Sequence, residues 1–440
     1  MKILLIGNGF DLEHNLPTSY REFLDFCERA KRIYTYSDEV PLNDYKKNNL
    51  DDWKMDAYVK ERLETAFKNR KCKKIFHEGG TYDIEITTPD VMLDELYTHI
   101  KHNTWIEYFL ICTSYRGENW IDFETEISRV IQAIDEARVT TSNGNSIEYV
   151  QRDKGEILIN ILKASKGSLQ KAFRDTIAID TFASQLNIEL ERLIRALEIY
   201  ISEFVHGITV IKKSVDIEKL SPDYVLSFNY SDTYERVYDK EMKAEYSYIH
   251  GKADINKNVS NSNIVLGIDE YLDNKRKDKE LEFLVFKKFY QRIYKSTCNN
   301  YLDWVDEIKV EYNDFLKKES EAYSRMIDMF KEGSFEQFQL QKTGCSELPN
   351  KGYAEHTLYI FGHSLDITDR DVLKLFICND NVQTKVFYYR KNKDDKEVLG
   401  KLIRNLIQIM GQDELLRRTG GVHKTIEFIP QEISITCGNS

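Results

Sequence analysis

Seven short apolar runs constrain the fold of this 440-residue chain more than any other feature. They are KILLIG (2–7), YVLSFN (224–229), YSYIH (246–250), NIVLG (263–267), TLYIFG (357–362), TKVFYY (384–389) and TIEFIP (425–430). Each is too short for a stable helix, is rich in β-branched and aromatic residues, and is bounded by Gly, Asn, His or Asp. That is the texture of strands buried on both faces of a parallel sheet. Between the first run and the second lie roughly two hundred residues with few strand signals, where apolar positions recur at helical spacing. TPDVMLDELYTHIKHNTWIEYFLICTSY and FASQLNIELERLIRALEIYISEFVHGI are examples. A second helical block, LEFLVFKKFYQRIYKSTCNNYLDWVDEIKVEYNDFL, separates the fourth run from the fifth. The expected class is α/β, a Rossmann-like parallel sheet with large helical insertions. Residues 1–40, 215–275 and 350–440 would form the sheet core, 41–214 a helical insertion and 276–349 a second one.

Composition narrows the functional classes. With 41% apolar side chains the chain can bury a large core, and its mean hydropathy of −0.52 fits a soluble protein. No run of ~18 apolar residues would span a bilayer, and the Ile3 to Ile6 stretch is too short for a signal peptide, so a cytoplasmic location without membrane partners is expected. The seven cysteines are odd in number, scattered, and nowhere spaced C-x-x-C, which argues against a disulfide framework and a zinc knuckle. A net charge of −11 opposes broad nucleic-acid binding. A local basic patch stays open, with KNRKCKK (68–74) and DNKRKDKE (273–280) as the densest candidates, and a solvated helix face or loop is the favoured reading of each.

Ligands of open parallel sheets bind beyond the carboxyl ends of the strands. The residues following each run are therefore the candidates: Gly7-Asn8-Gly9-Phe10-Asp11, Asn229-Tyr230-Ser231-Asp232, His250-Gly251 and Gly362-His363-Ser364-Leu365-Asp366. Gly7 and Gly9 permit a tight turn and close backbone approach, with free amides ahead of a helix to hold pyrophosphate. The third glycine of the hydride-transfer fingerprint is replaced by Leu12, so that chemistry is not indicated. Taken singly, the first loop also reads as a plain strand-to-helix turn, Asp232 as a helix cap and His250 as a structural histidine. In NWIDFETEI, Asp122 and Glu126 would share a helix face, and with Glu124 they form either an acidic site or an acidic first turn favoured by the helix dipole.

The blocks GNGFDLEHNLPTSYREF, NWIDFETEI, LSFNYSDTYE, YIHGK, LGIDE, FKKFYQRIYKS and FGHSLDITDRDVL resemble the bacteriophage abortive infection AbiH family over nearly the whole chain. That resemblance implies phage defence. More distantly, the loops resemble sirtuin-like NAD-binding defence proteins: Gly7 to Asp11 falls in register with the first loop, Asn15 replaces a later glycine, Pro17 matches a proline, and Asn229 and His250 match the family's asparagine and histidine. Asn15 is tolerable there because asparagine enters left-handed backbone readily. Asp11 in place of a small hydroxyl residue, and Asp232 three residues after Asn229 rather than two, depart from the pattern. The four-cysteine zinc module of deacetylating sirtuins is missing.

The resemblance implies Asn229 and His250 as catalytic residues. Gly7, Asn8, Gly9, Phe10, Asp11, Asp232, Gly362, His363 and Ser364 would bind NAD, as substrate or ligand, with no metal. Two functions stay open: an NAD glycohydrolase, or a nucleotide sensor acting through a partner. A nucleic-acid-processing toxin is disfavoured. A nucleotide ligand and a phage-derived trigger or partner protein are the expected partners, and an oligomer is left open.

Overall fold

The computed structural model describes residues 1–36, 55–69, 71–80, 82–88, 90–116, 122–145, 150–272, 276, 280–297, 299–331, 355–390, 392, 395–421 and 424–432. β1 (Lys2–Ile6) shows why such runs become central strands. Its side chains alternate, so Ile3 and Leu5 enter one apolar cluster with Leu226, Ile360 and Phe376, while Leu4 and Ile6 enter another with Phe10, Val225 and Phe361. A run that is apolar at every position fits only a strand covered on both faces.

β2 (Lys71–Phe76) and β3 (Tyr82–Thr88) form a separate antiparallel pair. β4 (Tyr224–Ser227), β5 (Glu245–Tyr248), β6 (His356–Phe361), β7 (Val382–Tyr388) and β8 (Ile426–Pro430) complete the main sheet, in the order β5-β4-β1-β6-β7-β8. Every pairing in it is parallel. Leaving the hairpin aside, the strands follow the doubly wound order third-second-first-fourth-fifth-sixth. The order reverses between β1 and β6, so a crevice opens at the carboxyl ends near that point.

Two expectations need correction. NIVLG (263–267) does not join the sheet. Its backbone is satisfied elsewhere: the Leu266 amide donates to Gln291 Oε1 (3.0 Å), Gln291 Nε2 donates to the Leu266 carbonyl (3.1 Å), and the Ile268 amide donates to Phe286 (2.8 Å). A glutamine side chain takes the place of a neighbouring strand, and Ile264, Leu266 and Ile268 pack into the helical core. The first insertion is also not purely helical. Lys71 to Lys74, read as a helix face or loop, lie in β2, and the chain turns back through Gly79 (φ +106°) and Gly80 (φ +82°). Those torsions are open to glycine and let the hairpin close. Of 273–280, Arg276 and Glu280 are the described residues; Arg276 is bonded to Asp135 and Glu280.

Helices Tyr20–Tyr36, Ala57–Asn69, Val91–Ile100, Thr104–Arg116, Phe123–Ser142, Arg152–Ser165 and Thr176–Ile199 bury one continuous core that includes Phe23, Trp105, Phe109, Phe123 and Leu193. The last of them runs into a wider π-helical turn, Tyr200–Val205. In the second excursion, helix Lys288–Tyr294 follows the 263–268 strap, and helix Tyr301–Lys331 lays Trp304, Val305 and Ile308 on the sheet. Among the described residues no helix is long and apolar enough to cross a membrane.

Candidate functional site

The glycines of the first loop serve contact between loops. The Gly7 amide donates to the Phe361 carbonyl (3.2 Å) and the Gly9 amide to the Gly362 carbonyl (2.8 Å). A Cβ on Gly9 would lie 2.8 Å from the Gly362 oxygen, and one on Gly7 would lie 2.8 Å from the His363 Cα. Gly362 itself has φ +68°, and a Cβ there would lie 2.1 Å from the Phe10 amide nitrogen. The exits of β1 and β6 therefore interlock backbone to backbone, and the two glycine amides expected to face phosphate are already engaged. Phe10 turns away into the small core, in ring contact with Tyr234, Tyr238 and Phe361. Asn15 has φ +58°, the left-handed conformation its place in the loop requires.

Asp11 faces the other way. It is buried, accepts a hydrogen bond from the Ser231 hydroxyl (2.6 Å), and its second oxygen has no partner among the described residues. Burial pushes its carboxyl up to about 6, against the opposing pull of the Ser231 and Thr233 hydroxyls and the Arg236 charge. An acid sits within the glycine turn because it reaches across to the loop after β4 and borders a cavity there.

That cavity, about 100 Å³, collects Asn8 and Asp11 from the exit of β1, Asn229 from β4 and His250 from β5. Tyr20, at the start of helix Tyr20–Tyr36, and Leu197 and Ile201 of the helical insertion cover it. Asn229 is 4% exposed, and neither its amide oxygen nor its amide nitrogen has a partner among the described residues. Leaving such a group unpaired costs about 1–3 kcal/mol, and this amide borders the cavity.

His250 is also buried, edge-on to Phe228, with Nε2 3.2 Å from Asp369 Oδ1. Burial lowers its ring below the ordinary value and the Lys288 ammonium lowers it further, so the imidazole is neutral at pH 7. Its neighbour Gly251 has φ +80°, and a Cβ there would stand 2.2 Å from the Asn263 oxygen, so the strap presses directly on the turn.

Behind His250 lies a buried charge cluster. Lys288 Nζ is 2.8 Å from Asp369 Oδ1 and 2.8 Å from Glu124 Oε2, and His363 Nε2 is 3.4 Å from Asp369 Oδ2. Burial would depress the Lys288 amine, but Asp369 and Glu124 outweigh it and hold the amine charged. Asp369 is likewise held well below the carboxylate range, burial being outweighed by Lys288 and the two histidines. Glu124 is pushed up to about 7, by burial first and by the neighbouring Asp369. Among the described residues no group of His, Cys, Asp and Glu converges as metal ligands do.

The structure thus brings Asn8, Asp11, Asn229 and His250 around one cavity. Asp232 borders an adjoining cleft of about 300 Å³ that shares Ile201, Tyr230 and Ser231 with the first, and it pairs with His206 at 3.1 Å. His363 stands one layer back, accepting from the Leu365 amide at Nδ1. Ser364 is exposed and meets Asn405 through its carbonyl. Phe10, Gly7, Gly9 and Gly362 build the scaffold.

Of the acidic trio, Asp122 caps its helix through the amides of Glu124 and Thr125, as a first-turn acid does, and buried Glu126 takes the Tyr108 hydroxyl and Arg129. Glu124 alone reaches the cluster. Lys288 and Asp369 were not singled out from sequence. Asp369 has the sequence position of an N-cap, yet makes no capping bond, because its carboxylate is committed to Lys288 and the histidines.

The family model described as "Bacteriophage abortive infection AbiH" matches residues 3–389 of the chain. No curated protein and no solved structure matches it.

Proposed function

The chain belongs to the bacteriophage abortive infection AbiH family, and with it to phage defence; from that premise we propose that it acts by cleaving the N-glycosidic bond of a nucleotide, NAD being the substrate to test first. The observation that carries this reading is the Asn229 amide, buried and without partners among the described residues, beside a carboxylate and a neutral imidazole. Asn229 supplies one donor and one acceptor to a ribose hydroxyl or a water. His250, with Nε2 held at Asp369, offers Nδ1 as general base. Asp11 places negative charge beside the oxocarbenium-like carbon that forms when a glycosidic bond breaks.

In the balanced step a water proton passes to His250 and the water oxygen bonds to the anomeric carbon. The electron pair of the broken bond returns to the nicotinamide nitrogen, which leaves neutral and needs no general acid. The cavity suits the ribosyl end of such a molecule. The adjoining cleft carries Glu203, Asp232 and Asp254 against Arg236 and His206, which does not make a diphosphate cradle. A substrate presenting a cationic nucleoside end is therefore favoured over one recognised by its phosphates.

Incubating the purified protein with NAD should release free nicotinamide, and Asn229→Ala should abolish the release. Binding without release would make the protein a nucleotide sensor, and neither binding nor release would exclude NAD.

A further inference from the structure

We propose that Lys288 is a positioning residue, clamped between Asp369 and Glu124, which holds the Asp369–His250 pair in place and ties both helical excursions to the cavity. The inference rests on the reading of His250 as the base. Three elements distant in sequence meet at one ammonium. Lys288 opens helix Lys288–Tyr294, and its backbone amide is fixed to the Ile268 carbonyl (2.9 Å), so the side chain starts from a set point on the strap that presses on His250-Gly251. Asp369 comes from the loop after β6. Glu124 comes from the first turn of helix Phe123–Ser142, and the preceding Phe123 stacks on Tyr20 (4.1 Å), which covers the cavity.

A buried ammonium needs compensation, and here it has two carboxylates, one more than neutrality asks. The surplus falls on Glu124, whose carboxyl is the one pushed up to about 7, while Asp369 stays ionised. Ionised Asp369, its Oδ1 3.2 Å from His250 Nε2 though not aligned as a hydrogen bond, favours the tautomer with its proton on Nε2 and so leaves Nδ1 unprotonated. Lys288 prevents the alternative in which His250 takes a second proton to satisfy Asp369. The groups that act on His250 are Asp369 and Lys288 directly, Arg292 at longer range, His363 across Asp369, Glu124 beyond Lys288, and Tyr230, whose ring faces it at 6.3 Å. Arg292 is engaged with Asp371, which leaves Lys288 as the cation committed to the pair.

The test is the ring state of His250 read by ¹⁵N NMR of histidine-labelled full-length protein, with the spectrum of His250→Gln giving the assignment. In the wild type the ring should be neutral and protonated at Nε2 at pH 7; an imidazolium or an Nδ1–H tautomer there overturns the proposal without any variant. In Lys288→Met the titration should rise by about one pH unit or more, and Lys288→Arg should restore it. An unchanged His250 titration in folded Lys288→Met also overturns it. These outcomes do not depend on turnover: a shifted titration in a protein that releases no nicotinamide would keep the clamp and reject NAD cleavage, while release of nicotinamide with an unshifted titration would do the reverse.

Discussion

Asp11 offers the most quantitative test, because the same burial that fits it to a cation costs stability. Its carboxyl stands at about 6 in the folded chain against an ordinary 3.8. At 1.36 kcal/mol per pH unit the difference amounts to about 3 kcal/mol. The folded state holds this proton more tightly than the unfolded chain does. Stability is therefore intact below the ordinary value and is lost as pH rises from about 4 to about 6, after which the loss is constant. At pH 5 about half of the full penalty has accrued.

Asp11→Asn keeps an acceptor for the Ser231 hydroxyl, which donates at 2.6 Å, and removes the titration. The variant should melt higher than the wild type at pH 8, by a few degrees, with the gap narrowing to about half at pH 5. Thermal melting at four or five pH values measures it. Phage protection should be lost in the same variant, since a neutral amide cannot offset a cationic centre. A gap that does not narrow towards low pH, or a variant that melts below the wild type at pH 8, would refute the burial argument. A stabilised variant that still protects would remove Asp11 from the site.

Asn229→Ala and His250→Ala should each abolish phage protection and any nicotinamide release while the proteins stay folded, because the Asn229 side chain makes no hydrogen bond among the described residues and the polar contact of His250 is its 3.2 Å approach to Asp369. Their double variant should be little worse than either single one, as expected of groups acting in one step, and additive losses would place them in separate roles. Gly9→Val should misfold rather than bind weakly, since its side chain would enter the Gly362 backbone; a soluble, native-like variant by circular dichroism would contradict that packing. Gly251→Ala combines a left-handed backbone, worth about 1–2 kcal/mol, with a 2.2 Å clash, and should be recovered in the insoluble fraction.

Strand runs such as KILLIG and TLYIFG were legible because the signal is local: an apolar residue at every position leaves a strand no choice but to be covered on both faces, and glycine or asparagine marks where the backbone must turn. Asn15 follows the same logic, since its left-handed torsion is a property of a single residue. Asn8, Asp11, Asn229 and His250 could be picked because parallel strands deliver their exits to one edge of the sheet whatever the sequence between them. NIVLG has the same composition as a strand, and nothing local reveals that Gln291 would take its ladder bonds. Phe10 follows the glycine turn, yet its ring goes to the core because the short helix Asn8–Glu13 turns it inward. Lys288 and Asp369 are the furthest from sequence: each looks like an ordinary surface or capping residue, and both are separated by long stretches of chain from Glu124, whose acidic stretch does stand out. Their charges act only through proximity in a medium of low polarity. That proximity comes from packing two helical excursions against the exits of the sheet.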